Sequence, residues 1–173
     1  MSDLLLMRHA RSEWPPDVPD FDRPLKARGR RAAKRMGRWL KAQQLVPDVI
    51  ISSPAARTFQ TARICCTAAD IPLPRISTEP ALYLANTRTL LRILQAVRQP
   101  GKRIMLVGHN PGLDALLHTL VGTHLPLTPA GKLMTTANIA HLRINDEVTD
   151  RVVAEFVQLV RPLELQRLER NQA

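Results

Sequence analysis

The chain predicts an α/β fold with a largely parallel central sheet, and three observations carry that expectation. Short apolar runs alternate with amphipathic stretches along all 173 residues. Buried parallel strands joined by crossover helices have that signature. Three polar clusters each follow an apolar run and lead into a helical stretch, where open α/β sheets bind ligands. The length allows a real core but not two full-sized units, and no linker or repeat interrupts it, so residues 1–173 read as one domain.

Element by element, Leu4-Leu5-Leu6-Met7 reads as a first buried strand. A Pro-rich loop runs from Trp14 to Pro24 and gives way to a helix over Leu25–Gln44. Asp48-Val49-Ile50-Ile51 is a second strand. Ser53-Pro54 opens a helix to about Ala69, with Ser53 as N-cap and Pro54 at the first helical position. Leu73–Ser77 is a short strand that Pro72, Pro74 and Pro80 make an edge or irregular piece. Asn86–Arg98 is a helix capped by Asn86 or Thr87. Arg103–Val107 is the next strand and Pro111–Val121 the next helix. Ala137–Ile144 and Val152–Val160 form a closing strand pair around a turn at Asn145–Asp150.

Composition narrows the function classes. Hydrophobic residues make up 45% and charged residues 23%, which argues against a disordered chain. No apolar run approaches the ~20 residues that span a bilayer. The opening Met-Ser-Asp-Leu-Leu-Leu-Met lacks the basic leader and apolar length of a signal peptide. The adjacent Cys65 and Cys66 suit a reducing compartment and a buried helix face rather than a disulfide framework. A cytoplasmic, monomeric protein without membrane contact is expected. His118, His124 and His141 show no metal-ligand spacing, so neither a metal nor a cofactor is expected.

The net charge is +10, and nine positive charges lie between Arg23 and Lys41 with no acid among them. On a helix, Gly29, Ala32, Ala33, Met36 and Leu40 share one face, while Arg30, Arg31, Lys34, Arg35, Arg38 and Lys41 share the other. Basic pairs four apart repel by a few tenths of a kcal/mol each. The basic face of helix 25–44 is either a solvated surface matched by acids elsewhere or a docking face for an acidic partner. With six aromatic residues in the chain and no zinc-finger or RRM signature, nucleic acid is the weaker partner, a helix-turn-helix being the form that composition leaves open.

The polar clusters are Arg8-His9-Ala10-Arg11-Ser12, Ser52-Ser53-Pro54-Ala55-Ala56-Arg57-Thr58 and Gly108-His109-Asn110-Pro111-Gly112. Singly, each has a plain structural role as a strand end or a turn into a helix. Converging from separate strands, they would bring Arg8, Arg57, His9 and His109 together with two helix N-termini. That chemistry suits a phosphoryl group, because guanidinium forks match phosphate oxygens and helix N-termini attract anions.

In these residues the chain resembles the histidine phosphatase superfamily, also called phosphoglycerate mutase-like, and within it the short SixA-type phosphohistidine phosphatases. Leu6–Ala10, Ser53–Ala62, Val107–Gly112 and Asp22-Arg23-Pro24-Leu25 with Gly29 carry the likeness. The motifs span about residues 3 to 122. The resemblance implies a three-layer sandwich, with His9 as a nucleophile that becomes phosphorylated and Arg8, Arg57 and His109 as binders of the phosphoryl oxygens. Ser12 and Asn110 are further candidates for phosphate contact, Ser12 serving equally well as a turn residue. A cationic neighbourhood would keep His9 neutral and nucleophilic.

Two departures matter. Larger superfamily members carry an acid after the third strand. Here Glu79 is the one carboxylate of Thr78–Ala85, earlier than the acid is expected, and is a candidate proton donor or else a loop or cap residue. They also place an Asn where this chain has Trp14-Pro15-Pro16. A weak or absent acid favours a substrate whose leaving group departs easily, such as phosphohistidine, over an alkyl phosphate. The expected function is therefore a metal-independent phosphatase acting on phosphohistidine in a protein, such as a histidine phosphotransfer domain. The alternatives are a small-molecule phosphomonoesterase of the same superfamily or a basic binding module with a degenerate pocket.

Overall fold

The computed structural model describes residues 1–146 and 152–171. Six strands form one sheet: β1 (Ser2–Arg8), β2 (Val49–Ser52), β3 (Ile76–Thr78), β4 (Ile104–Gly108), β5 (Ile139–Ile144) and β6 (Ala154–Val160). Their spatial order is β3-β2-β4-β1-β5-β6. The first four are mutually parallel, β5 runs antiparallel to β1, and β6 antiparallel to β5. The helices are α1 (Ala27–Ala42), α2 (Ala56–Ala68), α3 (Thr87–Val97), α4 (Gly112–Val121) and α5 (Pro162–Asn171).

The two-residue period of a strand divides the core. In β1, Leu4 and Leu6 join one apolar cluster with Leu90, Leu94 and Leu113 of α3 and α4. Leu5 and Met7 join the opposite cluster with Met36, Leu40, Ala62 and Cys65 of α1 and α2, against which Leu165 of α5 also packs. In β4, Ile104 and Leu106 fall in the first cluster and Met105 and Val107 in the second. The result is the expected three-layer sandwich, with continuous apolar strands at its centre. Cys65 and Cys66 are free and buried.

Several boundaries differ from the sequence expectation. Helix α2 starts at Ala56, with Ala55 at its N-cap and no side-chain capping bond. Ser53 stands two residues before that cap, its Oγ accepting from Ala55 N at 3.3 Å and lying 2.9 Å from Nε2 of His109. The span expected as a single strand over Leu73–Ser77 is a 3₁₀ turn at Leu73–Arg75 followed by the edge strand β3. Asn86 caps α3, its Oδ1 accepting from Thr89 N at 3.0 Å. Helix α5 was not anticipated. Of its residues only Pro162 is buried, so it has no apolar stripe of the kind that marks the other helices. The expected turn at Asn145–Asp150 falls largely outside the described residues.

Two close approaches shape the region around the strand ends. A Cβ on Gly29 would sit 2.2 Å from the carbonyl oxygen of Arg11, so α1 meets the chain after β1 only through a glycine. A Cβ on Gly112 would stand 2.0 Å from the carbonyl oxygen of Ala85. The loop between Ser12 and Leu25 is pinned at its base by Glu13 N to Pro24 O (2.8 Å) and Lys26 N to Arg11 O (2.9 Å). It carries a 3₁₀ turn at Asp20–Asp22.

Candidate active site

The central strands β1, β4 and β2 end side by side, and their exits deliver the three predicted clusters to one place. His9 N donates to Gly108 O at 3.0 Å and Ser53 N to Val107 O at 3.0 Å, extending the ladders past the strands. Thr61 Oγ1 ties this edge to α2, accepting from Ala10 N at 2.9 Å and donating to Arg57 O at 2.6 Å. A cavity of about 410 Å³ opens there, lined by Arg8, His9, Arg57, His109, Ser12 and Asn110 among others. Each of these was expected from sequence. Glu79 is not among them. Its carboxylate accepts from Ala81 N at 2.9 Å as the cap of the 3₁₀ turn at Pro80–Leu82, and it borders a separate cavity.

The protonation states follow from the hydrogen bonds. Nδ1 of His9 faces the carbonyl oxygen of Ala10 at 2.8 Å. A carbonyl can only accept, so Nδ1 carries the proton and Nε2 keeps its lone pair. The His9 pKa is pushed down to about 4, chiefly by burial and then by the charges of Arg57, Arg8 and Arg23, with the Ala10 bond acting the other way. The sequence pointed to neighbouring cations as the cause, whereas desolvation is the larger one. His109 is also held neutral, its pKa pushed down to about 3 by burial and by His9 and Arg57. Arg57 Nη2 donates to its Nδ1 at 3.3 Å, leaving the proton on Nε2 beside Ser53 Oγ (2.9 Å) and Thr58 Oγ1 (3.2 Å). The two imidazoles lie 5.3 Å apart between ring centroids.

Three residues that the sequence reading did not assign to the site complete it. Asp20 receives Arg57 Nη2 at 2.9 Å and Tyr83 Oη at 2.7 Å on Oδ2, and Arg23 Nε at 2.9 Å on Oδ1. Its carboxyl is lowered to about 2, first by the Tyr83 hydroxyl and then by the arginines. Arg23, counted in sequence with the basic helix, lies before α1 and is buried. It donates to Ser12 Oγ at 2.8 Å and to Glu13 O at 3.0 Å, and it covers the Trp14 ring at 3.4 Å. Ser12 thus holds Arg23. Tyr83 meets His109 edge-on at 5.5 Å. The local signal for Arg23 is its place in Asp22-Arg23-Pro24-Leu25, outside the helical period; Asp20 gives none, because Arg57 and Tyr83, which tie it to the site, are distant in sequence.

Arg8 and Asn110 share one acceptor, the carbonyl of Met134, at 2.8 and 3.2 Å. Nε of Arg8, Nε of Arg57 and Oδ1 of Asn110 are buried without a hydrogen-bond partner. Unmet buried polar atoms are costly, and three of them cluster here. Two buried, positioned guanidinium groups, a third beside them and a neutral imidazole with a free lone pair make a site that can bind a phosphoryl group and attack it.

Comparison with known proteins agrees with this geometry. The sequence pattern of the histidine phosphatase superfamily (branch 1) matches residues 4–82. An uncharacterised protein of Mycobacterium tuberculosis is 33% identical over 142 residues, covering 80% of this chain and 87% of its own. Phosphoglycerate mutase 1 of Saccharomyces cerevisiae is 38% identical over 81 residues, covering 43% of this chain and 33% of its own. Among solved structures, a SixA-named protein of Agrobacterium tumefaciens superposes with a TM-score of 0.75 at 30% identity, covering 92% of this chain and 98% of that one. The fold is also that of the protein histidine phosphatase SixA solved with tungstate, with a TM-score of 0.80 at 22% identity over 94% of this chain and 99% of that one. With this likeness along most of its length and the His9 cluster assembled at the strand ends, the chain belongs to the histidine phosphatase superfamily.

Proposed function

We propose that the protein is a phosphatase that hydrolyses phosphohistidine on a protein through a covalent intermediate on His9. Nε2 of His9 attacks phosphorus, the P–N bond to the substrate imidazole breaks, and water then cleaves the new P–N bond on His9, releasing phosphate. Arg8, Arg57, Arg23 and His109 surround the place where the phosphoryl charge develops, so their contribution is position and charge.

The observation that carries the choice of substrate is the acidity of the cavity's carboxylate. Among the described lining residues, Asp20 is the one carboxyl group, and at a pKa of about 2 it is ionised and has no proton to give. An alkoxide leaving group needs a strong proton donor, whereas an imidazole is a much weaker base and can take its proton from solvent. The arrangement therefore favours cleavage of P–N over P–O bonds.

Purified protein is expected to release phosphate from a phosphorylated histidine phosphotransfer domain with EDTA present, and His9→Ala is expected to abolish release. Turnover by the His9→Ala variant would refute the covalent route. Faster turnover of a sugar or nucleotide phosphate than of the phosphorylated domain would assign the small-molecule reading instead, and loss of activity in EDTA would refute metal independence.

A further inference from the structure

A groove of about 660 Å³ adjoins the candidate active site, and Arg8, Arg11 and Thr136 line both. Its walls are the N-terminal half of α1, the chain from Thr128 to Thr136 and the start of α5. Six cations face it besides Arg8: Arg11, Arg28, Arg31, Arg35, Lys132 and Arg161. Arg35 is paired with Glu169 at 3.1 Å and Arg161 with Glu164 at 3.2 Å. Arg11, Arg28, Arg31 and Lys132 are exposed and have no acidic partner among the described residues. Among the described residues, no carboxylate lines the groove.

On α1 the groove face is the stripe 28-31-32-35, at helical spacings of three and four. Arg30, Lys34 and Arg38 form a different stripe that does not reach the groove, although the charge count along the sequence treats both alike. The lining also fits a peptide better than a bare polyanion. Ala32, Pro162 and Leu163 supply apolar surface, and Thr128, Thr135 and Gln166 supply groups that both donate and accept. None of the lining residues is aromatic, so the groove has no platform for stacking bases.

We infer that this groove binds an acidic segment of the protein substrate next to its phosphorylated histidine. The inference rests on the protein-phosphatase reading above and names what that site selects: carboxylates on Arg28, Arg31 and Lys132 while the phosphoryl group enters past Arg8 and Arg11. Arginine forks suit carboxylates, and several exposed pairs acting together give a salt-sensitive preference.

The test compares the triple variant Arg28→Gln/Arg31→Gln/Lys132→Gln with the control Arg30→Gln/Lys34→Gln/Arg38→Gln, which removes the same charge from other positions. Fluorescence anisotropy of a labelled Glu/Asp-rich decapeptide reads the groove without any turnover. The groove variant is expected to bind it about tenfold more weakly at low salt and the control within twofold of wild type, with aryl phosphate hydrolysis unchanged in both. Equal weakening in both variants, or none in either, overturns the inference. So does tighter binding of a single-stranded oligonucleotide than of the peptide through the same residues. Turnover of a phosphohistidine peptide separates the two readings. If wild type lacks it but the groove variant still loses the decapeptide, the groove stands and the phosphohistidine reading fails. If wild type has it and the groove variant binds the decapeptide as wild type does, the groove fails alone.

Discussion

At the scale of single residues, His9 is set by one hydrogen bond and by burial. The Ala10 carbonyl fixes which nitrogen carries the proton, and desolvation keeps the ring neutral. The neutral ring is the reactive form and its pKa is lowered to about 4 from the usual value near 6.5. Activity on an aryl phosphate should therefore persist as pH falls from 7 through 6, and decline only as pH falls through about 4; an acid limb centred near 6.5 would contradict this. Arg23 is the second case. It is buried, clamps Asp20 and Ser12, and borders the cavity. With charge-assisted bonds contributing about 1.5–3 kcal/mol each, Arg23→Gln should lower kcat/KM at least tenfold. It should also move the acid limb upward, because Arg23 is one of the charges that depress His9. A steady-state pH profile of the variant checks both. The sequence named His9, Arg8, Arg57 and His109 because each directly follows or lies close behind a strand in a local motif. Asp20 and Tyr83 stayed hidden because they meet only in space, across 63 residues.

At the scale of elements, the site depends on how α1 meets the chain leaving β1. Gly29 lets the helix press against the Arg11 carbonyl, and Lys26 N closes the contact. Gly29→Ala should force that contact apart, at a cost of about 1–3 kcal/mol by analogy with overpacked cores, measurable by urea unfolding. Because Arg11 and Ser12 would shift with it, aryl phosphate turnover should fall even in the fraction that folds; a variant as stable and active as wild type would refute the role given to Gly29. The strands and the helices α1, α3 and α4 were legible because their apolar periods are long and their flanks carry turn or cap residues. The start of α2 is displaced from the expected one: Ser53-Pro54 has the chemistry of a cap, yet the helix begins at Ala56, and Ser53 Oγ turns to Ala55 N and to His109 Nε2. Helix α5 gives little signal because two of its three leucines, Leu163 and Leu168, remain exposed and only Leu165 packs against the core.

At the scale of the whole molecule, the net charge of +10 resolves into separate duties. Arg23 leaves the basic helix for the site, while Lys26, Arg35 and Lys41 find acids in Glu13, Glu169 and Asp70. Arg28, Arg30, Arg31, Lys34 and Arg38 remain without an acidic partner among the described residues, split between two stripes. No helix among the described residues is long and apolar enough to cross a membrane. The central strand ties these parts together. Leu4 and Leu6 serve one layer and Leu5 and Met7 the other, and the strand delivers Arg8 and His9 together to the cavity at its end. An odd-numbered insertion or deletion within β1 would reverse that parity, exchanging the side chains that fill the two layers. An even-numbered change would preserve it. Length variation in this segment is thus constrained to steps of two, because both faces of the strand are packed.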